Sequence, residues 1–208
     1  MITNVQTNTI LGVLIFERNE IIMNQNVIEL FKINIYCCDL NINLEQLKNN
    51  ILNIRKKDQK GRLISNLGGW QSNLLNDIGE VRGHMEDHSL KYLNELGLSA
   101  SNKVDVCWAN INGYKDTNVW HTHPKSVISG VFYVDANEKS GNLKFFHPYI
   151  NDISREWADH IKNFNSMNDV ETEIIPRSGL LVLFPSFLPH SVNPNLIKEE
   201  RISISFNI

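Results

Sequence analysis

The chain has 208 residues, 42% hydrophobic and 21% charged, which is enough apolar material for one sizeable core and excludes a disordered chain, a collagen-like fibre and a disulfide miniprotein. A formal charge of -3 leaves no basic surplus for nucleic acid, and Cys37, Cys38 and Cys107 form neither a CxxC zinc pair nor an even disulfide set. The apolar run Leu11–Phe16, followed by Glu17, Arg18 and Glu20, is too short for a membrane span and wrongly flanked for a signal peptide, so a soluble, cytoplasmic protein is expected.

In chain order, a strand is expected over Ile10–Phe16, belonging to a later sheet. Leu44, Leu47, Ile51, Leu52 and Ile54 recur at helical spacing and predict a helix that ends in the charge cluster Arg55-Lys56-Lys57-Asp58. The stretch Leu74–Leu98 reads as one long helix or two short ones. After about residue 102 the rhythm becomes that of strands: Val104–Ile111, Val127–Asp135, Leu143–Phe146, Glu171–Ile175, Leu180–Phe184 and Arg201–Ile208. Turn chemistry at Glu138-Lys139-Ser140-Gly141-Asn142, Pro176-Arg177-Ser178-Gly179 and Asn193-Pro194-Asn195 separates them, and one helix over about Ile153–Phe164 interrupts the series. The layout predicts an α+β protein in a single domain over 1–208. A mainly helical part, 1–102, packs on an antiparallel barrel or sandwich, 103–208.

The last strand is the most informative. Ile202, Ile204, Phe206 and Ile208 alternate with Arg201, Ser203, Ser205 and Asn207, and strand side chains point to opposite faces in turn, so one face is apolar and the other polar. Two arrangements satisfy this. Either the polar face meets water, or helices cover the apolar face and the polar face lines a ligand cavity. The strand Val127–Asp135 leans to the second, with Ser129, Val131, Tyr133 and Asp135 on one face and Ile128, Phe132 and Val134 on the other.

His121 and His123 are two residues apart at the entrance to that strand, so in extended chain both imidazoles face the same way and can reach one metal ion. His190 follows much later, after Pro185-Ser186-Phe187-Leu188-Pro189, and Arg201 lies on the polar face of the final strand. The order H-x-(D/E/H), a long gap, H, then R-x-S resembles the iron(II)- and 2-oxoglutarate-dependent oxygenases. More narrowly, several segments are similar to a family of such oxygenases common in marine bacteria and their phages. They are Ser65-Asn66-Leu67-Gly68-Gly69-Trp70-Gln71-Ser72, Trp108-Ala109-Asn110-Ile111-Asn112, His121-Thr122-His123-Pro124 with Ser129-Gly130-Val131-Phe132-Tyr133-Val134, Leu183 through His190, and Arg201-Ile202-Ser203-Ile204-Ser205-Phe206-Asn207. The similarity spans roughly residues 60–208.

The resemblance implies a double-stranded β-helix, or jelly roll, with the N-terminal helices on one sheet. It implies a dioxygenase, expected to be a hydroxylase, that couples substrate oxidation to conversion of 2-oxoglutarate to succinate and CO2. Iron(II) would be held by His121, His123 and His190, the catalytic set, with 2-oxoglutarate as cosubstrate alongside O2. Arg201 would pair with the distal carboxylate of 2-oxoglutarate, with Ser203 and Tyr133 as further donors. Three open iron positions suit a chelating 2-oxo acid and oxygen.

The sequence departs from the usual pattern at His123, where related enzymes carry a carboxylate. An active three-histidine centre is the preferred reading; a carboxylate from Asp116 or Asp135, or a weakened and inactive site, are the others. His84 and His88 read as a solvated helix face, His147 as a turn residue before Pro148 and His160 as surface. Trp70 and Trp108 read as core, and Trp120 as core or a wall of the pocket. Two competing functions stand beside the oxygenase: a catalytically silent metal-binding jelly-roll interaction module, and a cupin-like three-histidine dioxygenase without 2-oxoglutarate. The expected partner is a small-molecule or peptidyl substrate whose identity the sequence does not give, with a homodimer allowed and neither membrane nor nucleic acid indicated. A phage-encoded protein acting in a host cytoplasm fits the same picture.

Overall fold

The computed structural model describes residues 8–10, 13–15 and 30–208. Contacts divide the chain into Met1–Lys32 and Ile33–Ile208. In the first unit, β1 (Asn8–Ile10) and β2 (Val13–Ile15) pair antiparallel in a two-stranded sheet of their own. This corrects the single strand Ile10–Phe16 expected to join a later sheet; Leu11, Gly12 and Phe16 lie outside the described residues.

The second unit opens with β3 (Tyr36–Asp39), α1 (Leu44–Lys57), β4 (Asn66–Leu67), β5 (Trp70–Gln71) and α2 (Val81–Glu95). Asn43 caps α1 by accepting the Gln46 N–H, and Arg55, Lys56 and Lys57 sit in its last turn, where the helix dipole favours cations. The apolar spacing therefore marks this helix correctly. The Leu74–Leu98 expectation shrinks to α2: Gly79, at φ 67, and the Asp77 side chain that accepts its N–H shape a turn in the first part of that stretch. The short strands β3, β4 and β5 add sheet to the part expected to be mainly helical, because each is recruited to the edge of a sheet supplied from elsewhere in the chain.

The remaining strands are β6 (Val106–Asn112), β7 (Thr117–His121), β8 (Ile128–Asp135), β9 (Leu143–Phe146), β10 (Glu171–Ile174), β11 (Leu180–Pro185), β12 (His190–Val192) and β13 (Arg201–Asn207). The intervening helix, α3, runs Ile150–Trp157 and continues as a tight turn Ala158–His160, earlier than expected. Two antiparallel sheets result, with orders β10-β9-β12-β7-β4 and β3-β11-β8-β13-β6-β5. From β6 to β13 the chain passes between the two sheets in the winding of a double-stranded β-helix.

The apolar face of β13 explains the packing. Ile202, Ile204 and Phe206 join Leu47 and Ile51 of α1 and Val81, Met85 and Leu93 of α2 in one buried cluster. The helices thus cover the outer face of the six-stranded sheet. On β11, Leu181 and Leu183 join that cluster, whereas Leu180, Val182 and Phe184 join a second one with Tyr133, Leu143 and Phe145. A strand buried on both faces loses polar alternation, as Leu-Leu-Val-Leu-Phe shows. The polar residues of β13 are left pointing into the barrel.

Candidate metal centre and anion pocket

His121 ends β7, His190 begins β12, and the two are directly opposed partners across the ladder. His123 lies two residues beyond β7, where its N–H donates to Ser186 O at 3.0 Å and so ties its loop to the one that leads to His190. Pro124 and Lys125, the latter at φ 72, then turn the chain into β8. The β7–β12 pairing slips between its two ends: the step Asn118 to His121 opposes the shorter step from Val192 to His190. This bulge lets Asn118 and His121, three residues apart, both line the pocket, with Val119 and Trp120 exposed between them.

The three imidazoles converge, each offering a ligand nitrogen within 4.8 Å of the others. His123 Nε2 lies 3.2 Å from His190 Nε2. Two nitrogens about 2.1 Å from a shared ion would lie about 3.0–3.4 Å apart at octahedral to tetrahedral angles, so this separation fits one metal ion. His121 Nδ1 donates to Val119 O at 2.6 Å and His190 Nδ1 to Leu188 O at 2.9 Å. A carbonyl can only accept, so each Nδ1 keeps its proton and each Nε2 turns a lone pair to the centre. Burial, aided by the neighbouring His121, lowers the pKa of His123 to about 4. Burial, again with His121, also lowers that of His190 to about 3 despite the Leu188 carbonyl, and burial lowers His121 as well. All three are therefore neutral, the form that ligates metal, at neutral pH.

No carboxylate joins them. Asp135 does not share the Tyr133 face: a second bulge pairs Ile202 with Asp135 but Ser203 with Tyr133, and Asp135 instead meets Lys48 of α1 at 2.7 Å. Asp116 accepts the Gly113 N–H at 2.7 Å and closes the β6–β7 turn. Among the described residues, the three histidines form the one cluster of three or more ligand side chains able to hold an ion.

Arg201 lies in the same pocket, 2% exposed. Its Nη1 donates to Ser140 O at 2.6 Å and Gly141 O at 3.0 Å. Among the described residues no carboxylate lies within ion-pair distance of it, and Nε and Nη2 carry no hydrogen bond. Burial lowers its pKa, while neighbouring Tyr133 and, more weakly, the Asp116 carboxylate favour the charge. Ser203 stands two residues along on the same face, and Tyr133, 1% exposed, has its pKa raised by burial to about 12. Three neutral imidazoles beside a buried guanidinium with no carboxylate in ion-pair contact are suited to a metal ion chelated by a dianionic ligand.

The structure adds Asn110, Asn118, Ser65, Trp108 and Ser205 to the lining. Asn110 donates to Ser205 Oγ at 3.0 Å, and its own Oδ1 has no partner. The period-2 pattern of Trp108-Ala109-Asn110 was the available signal, and it makes Trp108 a pocket residue instead of plain core. Trp70 is core, as expected. Trp120 is 57% exposed and not in the wall. His88 departs from its solvated reading, since Tyr36 Oη lies 2.8 Å from its Nδ1. His147 Nδ1 accepts the Tyr149 N–H at 3.1 Å, a turn histidine as expected, and His160 is exposed.

A jelly roll that brings three imidazoles and a buried arginine into one pocket suits a metal ion and an anionic ligand held side by side. Residues 106–207, just under half of the chain, match the model of a family described as "Putative 2OG-Fe(II) oxygenase". Over that segment, which forms the barrel, the chain is similar to this family of 2-oxoglutarate- and iron(II)-dependent oxygenases. Among solved structures, the chain is similar to a Pseudomonas putida prolyl-4-hydroxylase (TM-score 0.56, 15% identity, covering 84% of this chain and 92% of that one). It is also similar to a viral collagen prolyl hydroxylase from Paramecium bursaria Chlorella virus-1 in complex with 2-oxoglutarate (0.54, 15%, 83% and 94%). A third likeness is to HygX from Streptomyces hygroscopicus with nickel and 2-oxoglutarate bound (0.54, 10%, 84% and 82%). At these identities the likeness is one of fold. No curated protein matches the sequence. No helix among the described residues is long and apolar enough to cross a membrane.

Proposed function

We propose that the protein is a hydroxylase of a small molecule or peptidyl residue, converting 2-oxoglutarate and O2 to succinate and CO2 as one oxygen atom enters the substrate. His121, His123 and His190 would hold iron(II), which supplies the activation of dioxygen when bound. Arg201, Ser203 and Tyr133 would bind the distal carboxylate of 2-oxoglutarate. The chain's own part is binding and orientation: the Val119 and Leu188 carbonyls fix two ligand tautomers. Ser140 and Gly141 hold one end of the guanidinium, leaving its other donors for a carboxylate. Phe184, Leu143 and Val131 line the site and limit water.

The observation that carries this reading is Arg201. An unpaired buried charge is costly to keep, and placing it in the pocket of the three histidines makes sense for an anionic cosubstrate. The prolyl hydroxylases among the similar structures support a peptidyl substrate. Free thiols at Cys37, Cys38 and Cys107 support action in a reducing cytoplasm.

Purified protein with ferrous iron and ascorbate is expected to form succinate from 2-oxoglutarate slowly even without primary substrate. His190→Ala and Arg201→Ala should bring this to background. If the iron-loaded wild type shows no binding of 2-oxoglutarate by calorimetry, the proposal fails. Oxidation that persists without 2-oxoglutarate would assign the centre to a three-histidine dioxygenase of another kind.

A further inference from the structure

The guanidinium of Arg201 is oriented by carbonyls from the turn between β8 and β9, and that turn is held from outside the pocket. Ser140 is 1% exposed, its N–H donates to Asn137 O at 2.9 Å and its hydroxyl to the same oxygen at 2.6 Å. Gly141, at φ 100, passes so close to Arg201 Nη1 and Asn193 O that a Cβ there would collide with both. On either side of this contact stand two amides. Asn142 Nδ2 donates to Glu173 Oε2 at 2.7 Å, and Asn193 Nδ2 donates to Glu173 Oε1 at 2.9 Å. The Asn193 N–H donates to Asn142 O at 2.9 Å. One carboxylate on β10 thus joins the β8–β9 turn to the segment leading into β13, with the arginine's carbonyl partners between.

We propose that Glu173 is a positioning residue for the carboxylate-binding guanidinium: by clasping Asn142 and Asn193 it keeps the Ser140 and Gly141 carbonyls on Nη1 of Arg201. This rests on the reading of Arg201 as the 2-oxoglutarate anchor. With Nη1 fixed at two points, the planar fork has one orientation, and its Nε and Nη2 donors are presented to the ligand without a search over rotamers. The two amide donors also hold the Glu173 carboxyl below its usual pKa, so the clasp is ionised at neutral pH. The nearby Lys144 Nζ, 4.0 Å from Glu173 and 2.7 Å from Glu171, favours the same state. Glu173 does not line the pocket of the histidines and Arg201, so its effect is specific to ligands that reach Arg201.

The test is anaerobic calorimetry on the iron-loaded full chain with two probes: 2-oxoglutarate, and 2-oxopentanoate, which keeps the 2-oxo acid and lacks the distal carboxylate. Glu173→Ala is expected to weaken 2-oxoglutarate about tenfold, with binding of 2-oxopentanoate and of iron unchanged. Glu173→Gln, which can still bond both amides once one of them flips, should restore most of the affinity. Asn193→Ala removes one arm of the clasp, leaves Glu173 in place and should weaken 2-oxoglutarate in the same selective way, so the proposal stays testable if Glu173→Ala fails to fold. The inference is overturned if these variants bind 2-oxoglutarate like the wild type while Arg201→Ala loses it, a result that leaves the functional reading standing. Equal weakening of both probes overturns it too, because the effect would not run through the guanidinium. A wild type that binds neither acid overturns the functional reading and the inference with it.

Discussion

His123 is the residue at which this centre differs from the usual two-histidine, one-carboxylate set. A third imidazole adds no negative charge, so a bound ferrous ion would keep its full double charge on the protein side. The geometry nevertheless fits a ligand: its Nε2 stands 3.2 Å from that of His190, and its backbone is anchored to Ser186. His123→Ala is therefore expected to weaken ferrous iron at least about tenfold, measured by anaerobic metal titration. His123→Asp, which restores a charge on a shorter side chain, should fall between the alanine variant and the wild type. An alanine variant that binds iron as tightly as the wild type would remove His123 from the ligand set. The two-residue spacing of His121 and His123 and the position of Arg201 were legible in the sequence because extended chain repeats every second residue. Asn118 was not, because it faces the pocket only through the bulge that precedes His121, and a bulge depends on a partner strand far along the chain.

At the scale of elements, strict alternation in β13 marked both its helix-covered face and its pocket face, and the sheet and helices confirm the cavity arrangement over the solvent one. The same rule misplaced Asp135, whose bulge sends it to Lys48 on α1. Edge strands such as β3 and β4 carried no periodic signal, since two to four residues are too few to show one. The attachment of α2 to the chain entering β6 was likewise unreadable; one carboxylate contributes to it, beside Arg82 Nη1 donating to Val104 O at 3.3 Å and Asn102 Nδ2 donating to Glu86 O at 3.0 Å. Glu86 accepts from Lys103 Nζ at 2.7 Å and the Val104 N–H at 3.3 Å, with Arg82 Nη1 at 4.0 Å. Burial opposes its ionisation, but these donors outweigh burial and leave its pKa below the usual carboxylate value of 4.5. A depressed folded pKa means that the unfolded chain takes up the proton first. The stabilisation is therefore complete above about pH 4.5 and is lost as pH falls through the lower folded value. Glu86→Gln should destabilise the protein by about 1 kcal/mol at pH 7, with the difference from wild type vanishing in acid; urea unfolding at several pH values measures it. A difference that persists unchanged under acid conditions would show that the carboxylate charge contributes nothing.

For the whole molecule, the three histidines lie where the chain crosses between sheets. His121 leaves the five-stranded sheet through the β7–β8 connection that carries His123, and His190 enters that sheet from the β11–β12 connection. A shared ion would therefore fasten two crossovers at one end of the barrel, joining segments that Ser186 already links by its contacts with His123 and Val127. The unfolded chain holds His190 far from His121 and His123 and does not form the three-ligand site, so binding favours the folded state by mass action. At about one hundred times the dissociation constant it contributes about 2.7 kcal/mol, which for a chain of this size corresponds to about 5–10 °C in Tm. Anaerobic differential scanning calorimetry with ferrous iron, and then with excess chelator, should show that rise and its reversal. In His190→Ala the rise should disappear while the metal-free Tm changes little, since the barrel and its helical cover are built from the two apolar clusters and not from the imidazoles. A metal-dependent rise that survives in His190→Ala would locate the stabilising ion elsewhere.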